Sequence, residues 1–121
     1  MKLYEAVISE DLQAVKELLK ACDVNEKDPS NGFTALHYCA QNGLLSIARL
    51  LLDDDNICID SKDAYGNTPL FKAVFFSQGK TDMIKMLLSA GADPEEKNNA
   101  GVSPVSLAQS IANFDVTSCF E

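Results

Sequence analysis

Three short stretches of this 121-residue chain bring together residue types that do chemistry. Gly79-Lys80-Thr81 ends like a phosphate-binding loop, where backbone amides cradle phosphates and a lysine neutralises them. That loop needs a second glycine five positions earlier. Val74 stands there and no strand pattern precedes it, so a nucleotide site is not expected. Asp53-Asp54-Asp55 offers carboxylates to a hard cation, but a calcium loop needs oxygen ligands at alternate positions and a glycine at the sixth, and Ile57 and Cys58 break that spacing. Acids at a helix C-terminus also oppose its dipole. The run therefore reads either as a solvated loop or as an electrostatic handle for a basic partner. His37, the one histidine, lies two residues from Cys39, while Cys22, Cys58 and Cys119 are scattered without a Cys-x-x-Cys pair. Two ligands do not complete a tetrahedral zinc site. No serine, cysteine or carboxylate falls in a nucleophile or acid–base motif. The residues predict no catalysis, no metal and no cofactor.

Composition narrows the classes further. Hydrophobic residues make up 46% of the chain, enough to build a core. No run of about 18 apolar residues exists to cross a membrane. The start, Met1-Lys2-Leu3-Tyr4-Glu5, has an acid where a signal peptide needs an unbroken apolar stretch, so a cytoplasmic protein is expected. The formal charge is −8. An acidic surface repels phosphate backbones, which disfavours nucleic acid and suits a basic protein partner, with plain solubility as the alternative.

The elements that position these residues come from a repeat. Gly32-Phe33-Thr34-Ala35-Leu36-His37 returns at Gly66-Asn67-Thr68-Pro69-Leu70-Phe71 and at Gly101-Val102-Ser103-Pro104-Val105-Ser106. Each glycine suits a turn of positive φ. Thr34, Thr68 and Ser103 follow as helix N-caps, and Pro69 and Pro104 fit the first helical position. Small residues (Cys39, Ala40, Ala73, Ala108) then allow close packing of a short first helix. Second helices are predicted from apolar stripes at Leu12, Val15, Leu18 and Leu19, at Leu44, Ile47, Leu50 and Leu51, and at Met83, Ile84, Leu87 and Leu88. The third ends at Ala90-Gly91-Ala92-Asp93, a glycine stop.

These residues resemble the ankyrin repeat over nearly the whole chain. Asp63-Ala64-Tyr65-Gly66-Asn67-Thr68-Pro69-Leu70 and Leu87-Leu88-Ser89-Ala90-Gly91-Ala92-Asp93 carry the family pattern most fully. The resemblance implies an all-α solenoid of helix-turn-helix units with hairpin-like turns. One domain over 1–121 would hold two full units, near 32–65 and 66–100, between partial caps at 1–31 and 101–121. His37 keeps the family histidine, which bonds within its turn, while Tyr4, Phe71 and Ser106 replace it elsewhere. The second unit carries one extra residue within 53–56, and the third carries two within 74–79. Insertions of this kind often lie on a binding face.

The resemblance also implies a concave binding face made of turn tips and first helices. Transferred onto it, Phe33, Tyr38 and Tyr65 are expected as exposed aromatic anchors, with Lys72 and Val102 beside them. Asp28, Asp60 and Asp63 would form an acidic rim, and Asp53, Asp54 and Asp55 would steer a basic partner. The alternative for each ring is packing against the array. The 75–80 insertion is the other candidate surface. The expected function is a non-catalytic protein-binding module, monomeric when free. It resembles small bacterial ankyrin proteins, some of which neutralise toxins as immunity proteins. A basic toxin domain would then be the partner, and a regulatory or scaffolding adaptor is the alternative.

Overall fold

A short helix cannot hold itself together in water, because its nucleation cost exceeds the gain from a few turns. Every helix here is of that kind. The computed structural model describes residues 1–111 and 116–120. They form α1 (Leu3–Ile8), α2 (Leu12–Leu18), α3 (Ala35–Asn42), α4 (Leu45–Leu52), α5 (Pro69–Phe75), α6 (Asp82–Ser89) and α7 (Pro104–Ser110), followed by a 3-10 turn at Thr117–Phe120. No strand occurs among the described residues. The expected all-α solenoid is what forms. Of the partial cap expected at 101–121, residues 112–115 and 121 lie outside the described set.

The starts of the first helices follow from the repeated cap. Thr34, Thr68 and Ser103 sit in extended backbone and accept hydrogen bonds from the amides of His37, Phe71 and Ser106. Pro69 and Pro104 open their helices where a missing N–H costs nothing. α2 starts differently, with the Asp11 carboxylate taking the Ala14 amide.

Stacking supplies what the single helices lack. First helices form one row, α1 against α3, α3 against α5 and α5 against α7, and α2 packs on α4 behind it. Cys39, Ala40, Ala73 and Ala108 lie buried in the first row, where a small side chain lets backbones approach. Leu36, Leu51, Leu70, Ile84 and Leu87 fill the space between rows. The hairpin turns stack as well. Ala64 N–H donates to the Asn31 carbonyl, and Asn99 N–H to that of Tyr65, each at 3.0 Å. This closeness requires glycine: a Cβ on Gly32 would meet Ala64 N at 2.7 Å, and one on Gly66 would meet Asn99 Oδ1 at 2.6 Å. A lysine ladder adds a further tie, Lys27 Nζ donating to the Lys62 carbonyl at 2.7 Å and Lys62 Nζ to that of Lys97 at 3.2 Å.

Position in the stack sets the value of a cap. α5 packs against α3, α6 and α7, whereas α7 packs against α5 and the 3-10 turn. Thr68→Ala should lower stability by about 1 kcal/mol. Ser103→Ala should move the global midpoint less, because α7 can open without its neighbours. Denaturant melts of the two variants, read beside hydrogen exchange of the α7 amides, check this; equal losses would contradict it.

Candidate partner-binding site

The site rests on a buried histidine. Thr34 N–H donates to His37 Nδ1 at 3.0 Å, so that nitrogen is the acceptor and the proton sits on Nε2. Nε2–H then donates to the Asn67 carbonyl of the next hairpin at 2.8 Å. His37 therefore bonds within its turn, as expected, and also bridges to the following unit. Burial pushes its pKa from 6.5 down to about 4, against the pull of the Asn67 carbonyl. A buried imidazole fixed in one tautomer with both nitrogens engaged is a structural strut. Cys39 behind it is also inert, its thiol pushed up to about 12 by burial.

Around the strut, several expected binding residues turn inward. Phe33 is 7% exposed and so is not an exposed anchor. Its ring lies against His37 at 5.4 Å and Tyr38 at 5.0 Å, and the Lys72 ammonium covers it 4.6 Å from the centroid. Lys72 is fully engaged there. The same ammonium lies 3.6 Å from the buried Asp63 Oδ2, which has no hydrogen-bond partner. The other Asp63 oxygen accepts the amides of Tyr65 and Asn67, each at 2.9 Å. Asp63 thus builds the hairpin instead of an acidic rim.

The remaining rim acids are also engaged. Asp28 accepts the Tyr38 hydroxyl at 2.7 Å, and this bond, with those from Ser30, holds its carboxyl below the usual range. Asp60 accepts the Asp93 amide. Tyr38 is half-buried, stacked 6.4 Å from Tyr4 and bonded to Asp28 and Asn31, so it offers an edge instead of a free ring. Asn67, in the same hairpin as Asp63, is buried.

What faces outward is narrower. Tyr65 stands 69% exposed at a hairpin tip, its backbone pinned by Asp63 on one side and Asn99 on the other. Val102, half-buried, marks the next hairpin, closed by Asn98. Asp53 and Asp55 are exposed, whereas Asp54 folds back to accept the Asn56 amide at 2.8 Å. Asp53 lines a cleft between α4 and α6 and is not brought together with Tyr65. The other candidate surface, the 75–80 insertion, includes Phe76. Phe76 and Phe75 are 44% and 59% exposed, edge to face at 4.9 Å. Among the described residues no cluster could hold a metal ion, and no helix is long and apolar enough to cross a membrane.

Comparison with known proteins agrees with this architecture. The family model "Ankyrin repeats (3 copies)" matches residues 3–98. The chain is 33% identical over 107 residues to serine/threonine-protein kinase 12 of Arabidopsis thaliana, which covers 88% of this chain and 22% of that protein. It is 34% identical over 97 residues to the nuclear factor NF-kappa-B p105 subunit of Mus musculus, covering 79% and 10%. It is 36% identical over 95 residues to the 26S proteasome non-ATPase regulatory subunit 10 of Dictyostelium discoideum, covering 75% and 39%. The chain thus spans well under half the length of these relatives.

Two outcomes follow from the cluster. The unfolded chain protonates His37 as pH falls through 6.5, while the native site resists until about 4. Stability present above pH 6.5 should therefore be lost across that window, by up to about 3 kcal/mol. Urea melts of the parent and of His37→Gln from pH 7 to 4 should differ by this steepness; parallel profiles would contradict it. Lys72→Ala leaves the Asp63 carboxylate buried and unpaired. It should cost at least about 2 kcal/mol, with Lys72→Arg retaining most of that. Thermal melts decide between this and a surface lysine of no consequence.

Proposed function

The chain belongs to the ankyrin-repeat family, and we propose that it is a non-catalytic protein-binding module that captures a basic protein partner across its hairpin tips and neutralises it, in the manner of an immunity protein or antitoxin. Ankyrin repeats mediate protein–protein interaction, and the buried, fully engaged His37 gives this chain no reason to depart from that role. The observation that carries the reading is Tyr65. A large aromatic ring exposed on a rigidly pinned hairpin loses little entropy on binding and supplies a central anchor. Tyr38 lends an edge, Val102 extends the surface along the stack, and the Phe33–Lys72–Asp63 cluster supports it from below.

Charge supports the sign of the partner. The formal charge is −8, and Asp53 and Asp55 remain free to attract a cationic surface from a distance. The cytoplasm fits the four reduced cysteines, Cys22, Cys39, Cys58 and Cys119, and the free form is taken as a monomer. A regulatory or scaffolding adaptor is the second reading, favoured by similarity to a proteasome regulatory subunit and to an NF-kappa-B subunit.

The test is kinetic. With the purified partner, Tyr65→Ala should weaken binding by at least about 2 kcal/mol, mainly through faster dissociation. Asp53→Asn with Asp55→Asn should chiefly slow association and flatten its salt dependence. Stoichiometric protein should abolish the activity of a toxin partner. Binding without inhibition would select the adaptor, and unchanged affinity in Tyr65→Ala would remove the hairpin tips as the site.

A further inference from the structure

The α3–α4 connection is two residues long, 43–44, whereas the α5–α6 connection runs to six, 76–81. Its backbone is unusual. Gln78 holds a left-handed φ of 50, which non-glycine residues seldom adopt, and Gly79 follows at φ 83. The lengthened loop presents Phe75 and Phe76 to solvent as one apolar patch and buries Ser77 beneath it. Two adjoining exposed phenylalanines give a partner an apolar contact surface.

Beside the patch, two clefts adjoin at Leu45 and Asp82. One, of ≈ 340 Å³, lies between the α3–α4 turn and the inserted loop, with Gln41, Asn42, Phe76 and Lys80 in its wall. The other, of ≈ 590 Å³, separates α4 from α6 and is walled by Arg49, Lys85 and Met86. Together they place three cations, Lys80, Arg49 and Lys85, along one groove in a chain of formal charge −8. Among the described residues none of the three makes an ion pair, whereas Lys2, Lys20, Lys62 and Lys72 all do. Two acids share the groove. Asp82 lies where the clefts meet, and Asp53 closes the far end.

We propose that this groove, set apart from the hairpin tips, is a second docking surface that takes a short acidic peptide segment carrying aromatic or leucine anchors. The anchors sit on Phe75, Phe76 and Met86. The carboxylates meet Lys80, Arg49 and Lys85, and the Gln41 and Asn42 amides can hydrogen-bond the peptide backbone. The peptide must turn its acids to these three cations and away from Asp82 and Asp53. Its chemistry is opposite to that of the basic partner proposed for the hairpin face, so one chain can hold both at once.

The test uses two fluorescent synthetic peptides: an acidic one with Leu and Phe at i, i+3 and i+7, and a counterpart with each acid replaced by lysine. Anisotropy should show the acidic peptide binding at least about tenfold more tightly, with an advantage that shrinks as salt rises. Amide NMR shifts should map to 41–45 and 75–86. K80E with K85E, and separately Phe75→Ser, should each weaken binding on the order of tenfold while circular dichroism stays unchanged; Tyr65→Ala should leave it intact. Equal binding of the lysine peptide, shifts centred on the hairpin tips, indifference to both groove variants, or no binding of the acidic peptide would each overturn the proposal. So would self-association of the free chain that K80E with K85E abolishes, since the groove would then belong to a second copy.

Discussion

Everything in this molecule depends on one unit satisfying the buried polar groups of the next. A stack of helices of six to eight residues buries apolar faces readily enough. The hairpin turns are harder, because their backbone amides and carbonyls are pressed between neighbours where water cannot reach. His37 resolves the central case by donating Nε2–H to the Asn67 carbonyl at 2.8 Å while accepting from Thr34. Asp63 satisfies the same hairpin from within, its Oδ1 holding two amides of its own turn. Where Phe71 replaces the histidine in the next unit, the tie passes to the side chains, Asn98 Nδ2 donating to Asn67 Oδ1 at 2.8 Å. The His37 imidazole and the Asp63 carboxylate are thus structural parts, and neither is left over for chemistry.

The same constraint decides which surface is left for binding. Asp63 Oδ2 is buried without a hydrogen bond, and the Lys72 ammonium offsets it. Holding Lys72 there lays its charge over the Phe33 ring. One buried oxygen without a hydrogen bond therefore removes an aromatic, a cation and an anion from the exposed set. Tyr65 escapes because its ring points away from the turn that its backbone completes. On the hairpin face, a rigid turn with an exposed aromatic at its tip remains, and rigidity lowers the entropic cost of binding.

Local chemistry was legible in the residues; lateral contact was not. Caps at Thr34, Thr68 and Ser103, prolines at the first helical position and glycines in the turns depend on a few neighbouring residues, so pattern alone places them. The second-helix stripes were legible for the same reason. Phe33 looked exposed because its burial is set by Lys72, a residue of the next unit. Asp28 and Asp60 looked like a rim because the Tyr38 hydroxyl and the Asp93 amide they accept are distant in sequence, and Asp63 did so because its burial beside Lys72 depends on the packed array. The length of the α5–α6 insertion could be counted, but not that it would leave two phenylalanines facing out beside a cleft walled by Lys80.

The central claim is that the hairpin tip at Tyr65 is where a protein partner lands. Site-specific photocrosslinking in the native cell tests it directly, because the adduct itself reports the partner. A photoreactive phenylalanine is placed at position 65 in one variant and at position 75 in another. The account predicts a discrete protein adduct from position 65 that excess unmodified chain suppresses. No adduct from position 65, when position 75 yields one, would contradict it.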